Sequence, residues 1–145
     1  VNNSLTHCEN IERKQLIKYG ITYLTQRDMA VVQADYAAYD APTKIGSYRP
    51  DVIGRTCKLK YVIGMTRTDR QELLKMDSQQ VIESFALAAL DHPDIEKFYL
   101  FVPSGCRPEA LRLLRSLGVF GRHVEVVGVS FAVPRLLHFP AAANC

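Results

Sequence analysis

The residues best suited to chemistry gather in and around the stretch 47–67, SYRPDVIGRTCKLKYVIGMTR. Asp51 follows Pro50 at the start of a short β-like run, 51–53, and its carboxylate is the kind of hard oxygen donor that Mg²⁺ and Mn²⁺ take. A second run, 58–66, is dense in apolar and β-branched residues. Lys58 and Lys60 share one of its faces by the two-residue period of a strand. With Arg67 and Arg70 they form a set of cations able to meet phosphates. Gly64 and Thr66 point the same way on that run, and neither brings a charge. Near the N-terminus, Glu9 and Glu12 lie three residues apart and project from one side of an expected helix. Gln80 stands three residues after Asp77 at the start of another.

Other chemistries find less support. The four cysteines, at 8, 57, 106 and 145, form no close pair of the spacing a zinc site shows, and are expected to be reduced thiols in a cytoplasm. The four histidines, at 7, 92, 123 and 138, have no partner spacing that suggests catalysis. GxGxxG, Walker A, GxSxG and HExxH patterns are all absent. Ser104-Gly105-Cys106 after an apolar run offers an anion site at a helix start, but ordinary turn chemistry explains it equally well. A net charge of +3 permits a local basic face without requiring one.

These groups need elements to hold them. The 145 residues, 48% of them hydrophobic, suffice for one domain with its own core, placed at 9–129 with a peripheral tail at 134–145. No apolar run is long enough to cross a bilayer, so no membrane partner is expected. The N-terminus lacks the apolar core of a signal peptide, and the missing initiator Met is read as trimming or excision from a longer chain.

A helix is expected over 5–19, closed by Gly20 at positive φ, with a short extended piece at 21–24. Strands follow at 29–36, 51–53 and 58–66, with a loop at 37–49 and a turn at 54–56. A connector at 68–75 leads to a helix that starts at Asp77 and stops before Pro93. The almost wholly apolar run 97–102 reads as a strand buried on both faces. A helix from Pro108 to Leu117 and a strand at 124–129 then make a parallel strand–helix–strand unit. The expected class is α/β: a mixed central sheet flanked by helices, in the order helix, three strands, helix, strand, helix, strand.

That order, with Pro50-Asp51 opening the second strand, resembles the PD-(D/E)XK nuclease superfamily, and in detail its restriction-endonuclease-like and Holliday-junction-resolvase-like domains. The resemblance covers residues 9–129. It implies a metal-dependent phosphodiesterase in which Asp51 is the metal-binding acid, Glu9 or Glu12 the first-helix acid and Gln80 the polar residue of the following helix. Mg²⁺ or Mn²⁺ would be the cofactor, polarising the scissile phosphate and activating water. The motif's second acid and lysine fall at Gly64 and Thr66, where the chain departs from the pattern. Glu9 or Glu12, or a migrated acid at Glu72, Asp77 or Glu83, are the alternative ligands, and Lys60 or Arg67 the alternative cations.

Three functions follow. The first is a nuclease-fold domain that binds DNA or a protein partner in nucleic-acid processing, with standard catalysis lost. The second is an active Mg²⁺- or Mn²⁺-dependent DNase with a migrated carboxylate. The third is an α/β structural or assembly domain, such as a homodimer, that does not touch nucleic acid.

Overall fold

The computed structural model describes residues 10–131. Helix α1 (Arg13–Thr25) precedes strands β1 (Ala30–Ala34), β2 (Val52–Arg55) and β3 (Tyr61–Thr66). A short helix α2 (Arg70–Leu74) and a long one, α3 (Met76–Asp91), lead to β4 (Ile95–Pro103). A 3₁₀ turn over Ser104–Cys106, helix α4 (Arg107–Ser116) and strand β5 (Val124–Val129) complete it. The five strands form one open mixed sheet in the order β1-β2-β3-β4-β5. β1, β2 and β3 are successively antiparallel, whereas β3–β4 and β4–β5 are parallel. The α/β class is therefore as expected. Among the described residues no helix is long and apolar enough to cross a membrane.

β4 shows why the sheet has a core on each face. Its side chains alternate, so Phe98, Leu100 and Val102 enter one cluster with Ile82, Phe85 and Ala86 of α3 and Leu113 and Leu114 of α4. Tyr99 and Phe101 enter the other, with Leu16, Ile17 and Leu24 of α1. Each fully buried Phe or Leu contributes roughly 1.5–3 kcal/mol, so both layers matter to stability.

The first helix departs from expectation. Residues 21–24 continue α1 instead of extending, and Gly20 is an interior helical position. A glycine inside a helix costs up to about 1 kcal/mol against alanine. Here the missing Cβ makes room for the Phe101 ring, whose Cε2 would lie 3.0 Å from it. Tertiary packing overrides the local preference. Residues 5–9 of the expected helix lie outside the described residues.

The hairpin also shifts. β2 continues through Gly54 and Arg55, which pair with Val62 and Tyr61, so the turn is 56–60 and not 54–56. Lys58 and Lys60 consequently sit in the turn, where Leu59 takes a left-handed φ of 62°. Asp77 lies inside α3, whose N-cap is Lys75, and its carboxylate accepts from the Ser78 amide. The reduced-thiol expectation is corrected at two positions, because Cys57 and Cys106 are disulfide-bonded. Sequence spacing missed this because no cysteine has a near neighbour in the chain.

Candidate functional site

Asp51 immediately precedes β2, at the sheet end where α1 begins. Its backbone N–H donates to the Gly64 carbonyl and its own carbonyl accepts from the Asp35 amide, so β1, β2 and β3 all fix its position. The residue is only 7% exposed. A carboxylate this buried must have partners, since a bare one would change protonation or destabilise the fold. Oδ2 accepts from the Thr66 backbone N–H at 2.7 Å and from the Thr66 hydroxyl at 2.8 Å. Oδ1 is paired with Nη2 of Arg13, from the first turn of α1.

The same Nη2 lies 2.7 Å from Oδ2 of Asp35, the residue after β1. Arg13 thus bridges two carboxylates. The two contacts are unequal, because the Asp35 side chain is 57% exposed and that of Asp51 only 10%. Screening by water makes the first a weak tether, while the second compensates a desolvated charge. Burial alone would lower the Arg13 pKa, but Asp51 and Asp35 together outweigh it and hold the guanidinium above its ordinary value.

The other positions singled out from the sequence distribute as follows. Glu9 lies outside the described residues. Glu12 is the exposed N-cap of α1 and makes no side-chain capping bond. Gln80 is exposed on α3, and it is Ser78 of that helix that reaches the site's flank, accepting from Arg67 Nε at 2.6 Å. Arg67 points away from Thr66 towards α3, and its Nη1 donates to the Thr66 carbonyl at 2.8 Å. Burial lowers its pKa, with partial compensation from Glu72, Asp51 and Asp77. Lys58 is exposed in the hairpin turn. Lys60 donates to the Pro93 carbonyl at 2.6 Å, and Arg70 is ion-paired to Glu109. The structure therefore brings Asp51 and Thr66 together with Arg67 at their flank, while Lys58 lies in the hairpin turn and Lys60 and Arg70 are held by Pro93 and Glu109.

The divalent ion implied by the resemblance does not fit this donor set. Both Asp51 oxygens are already engaged, one by a guanidinium and one by two donors. At Gly64, any added Cβ would stand 3.2 Å from Phe101 Cε2 and 3.5 Å from the Val52 Cβ, so a side chain at the second-acid position would crowd the core. Two of the three migrated-acid positions are also engaged. Glu72 Oε1 accepts from the Thr68 amide and hydroxyl, and Asp77 is bonded to the Ser78 amide. Among the described residues, no group of three or more His, Cys, Asp or Glu side chains is placed to hold a metal ion.

Arg13 and Asp35 had not been singled out from the sequence. Beside them, Lys14, Gln15 and Lys18 of α1 face Tyr36 and Ala37 across a groove of about 370 Å³. Lys14 and Lys18 are one helical turn apart and exposed, and Tyr36 also packs against the core cluster between α1 and the sheet. The turn that carries Tyr36 has Ala38 at φ 75°, in the left-handed region where a non-glycine residue is strained. The groove combines cationic heads with an aromatic wall. Comparison with family models, curated proteins and solved structures finds no match for the chain.

Proposed function

We propose that this domain is a restriction-endonuclease-like module that binds nucleic acid, or a partner in nucleic-acid processing, and has lost standard metal-dependent cleavage. The observation that carries the reading is the closed Asp51 site, in which Arg13 and Thr66 occupy the carboxylate that a nuclease would give to a metal. The strand order and the antiparallel β1–β2–β3 unit followed by parallel β4 and β5 support the finer fold assignment. Lys14, Lys18 and Tyr36, beside that site, supply the contacts a phosphate backbone and a base would use.

A cytoplasmic location, expected from the cysteine spacing, would leave the thiols reduced. Disulfides at Cys57 and Cys106 fit an oxidising compartment better.

The test is fluorescence anisotropy with labelled single- and double-stranded DNA over a range of salt. Binding that weakens linearly in log–log form as salt rises is the expected result. Absence of any salt-dependent binding to either strand form would remove the nucleic-acid reading and leave an assembly domain. Nicking in Mn²⁺ that disappears in Asp51→Ala would instead establish the active DNase.

A further inference from the structure

The mismatch between the expected divalent ion and the donor set has its own explanation. A metal in a nuclease site does two electrostatic jobs before any reaction: it compensates a desolvated acid, and it ties together carboxylates from different elements. Here one atom does both. Nη2 of Arg13 meets the buried Asp51 and the exposed Asp35 at once, linking α1 to the ends of β1 and β2. The geometry points to Arg13 as a tethered cation that stands where a divalent ion would otherwise bind, so that the Asp35–Asp51 pair is a metal site blocked by its own chain.

Three features support this assignment. The guanidinium stays protonated across the working range of pH, so the substitution is permanent and needs no ion from solution. Its charge is +1 against two carboxylates, which leaves the group with one net negative charge. The Arg13 side chain is 45% exposed, so removing its head empties a solvent-accessible place between the two acids and does not open a hole in the core. Two carboxylates left facing one another repel, and taking up a small hard cation with retained waters relieves that repulsion.

The inference rests on the nuclease-like reading only in expecting a divalent ion at Asp51. Its test contains no nucleic acid, so it succeeds or fails separately from DNA binding. The probe is Mn²⁺ alone, titrated into the full chain and followed by loss of the free-ion electron paramagnetic resonance signal. The wild-type chain is expected to bind no Mn²⁺ through Asp51 up to millimolar concentration. Arg13→Gln is expected to bind one ion per chain at least tenfold more tightly than wild type, and Arg13→Gln/Asp51→Asn to lose it. Arg13→Lys keeps a cation and is expected to remain closed to metal, which a merely structural arginine would not require. Circular dichroism melts establish that each variant is folded, and Arg13→Met, which retains an apolar stem, replaces the glutamine variant if that one is not. Asp51-dependent Mn²⁺ binding by the wild-type chain, or a folded Arg13→Gln or Arg13→Met that binds none, overturns the proposal.

Discussion

Arg13 and Asp51, 38 residues apart in sequence, form an ion pair whose acid is buried and whose base is half exposed. This asymmetry makes the two partners unequal under mutation. Asp51→Ala removes the acceptor for the Thr66 amide and hydroxyl as well as the ion pair, and is expected to destabilise the fold by about 2–4 kcal/mol. Arg13→Ala leaves Asp51 its two Thr66 bonds and a path to water, with an expected cost of about 1–2 kcal/mol. Urea unfolding of both variants checks the ranking. Equal losses would mean that the Thr66 bonds contribute nothing.

Glycine at 64 is a packing requirement as much as a missing ligand. Gly64→Glu, the substitution that would restore the second acid of a nuclease motif, pushes a side chain against Phe101 and Val52. We expect a loss of at least about 3 kcal/mol or failure to fold, and no gain of cleavage. Gly20→Ala, which meets the same ring from the helix side, is expected to cost about 1–3 kcal/mol despite alanine's better helix propensity. A stabilised Gly20→Ala protein would show that Phe101 can move aside.

DNA affinity is expected to depend on α1 more than on the hairpin. Lys14→Glu and Lys18→Glu should each weaken binding and reduce the log–log salt slope by about one, while Lys58→Glu at the hairpin turn leaves both nearly unchanged. Anisotropy titrations at three salt concentrations separate these outcomes. The reverse pattern would move the interface to the other end of the sheet.

Acid sensitivity should trace in part to Glu125. Burial alone would raise its pKa, but the Tyr23 hydroxyl and Lys97, 3.0 Å away, outweigh that and leave it lowered. A carboxyl with a folded pKa below its unfolded one contributes stability that is complete above the unfolded value, about 4.3 for Glu, and is lost as pH falls through the folded value. Asp69, lowered chiefly by the Glu72 amide, acts in the same direction. Stability is therefore expected to be flat near neutrality and to fall below about pH 4, with Glu125→Gln showing a shallower decline. An identical decline in the variant would assign the sensitivity elsewhere. The same contact raises the Tyr23 pKa after burial has done so, and Tyr99 is pushed up to about 12 mainly by burial, so neither ring ionises in this range.

Alkylation reports on the disulfides. In the denatured but unreduced chain, neither Cys57 nor Cys106 should take up iodoacetamide, and both should do so after reduction. Labelling before reduction would restore the free-thiol expectation.

Elements with a strong apolar signal were legible from sequence. The run at 97–102 lies within β4, and 124–129 coincides with β5, because buried strands need uninterrupted apolar residues whatever surrounds them. Gly20 misled because its local propensity says helix end, while its reason for being there is a ring from β4. The Asp51–Thr66 half of the site lies within one hairpin and could be approached by counting. Arg13 and Asp35 come from two further segments, and only the pairing of β1 with β2 brings the Asp35 amide to the Asp51 carbonyl, 2.9 Å away. No spacing in a single stretch encodes that meeting.

Phe101 lies between two glycines on different elements, Gly20 of α1 and Gly64 of β3. The arrangement ties the two positions to one ring. A side chain at 64 makes the Phe101 ring give by a few tenths of an ångström, and α1, fitted to the same ring through Gly20, feels that shift. The aromatic ring therefore couples the two positions: a change at 64 is transmitted through Phe101 to the packing of the helix that carries Arg13.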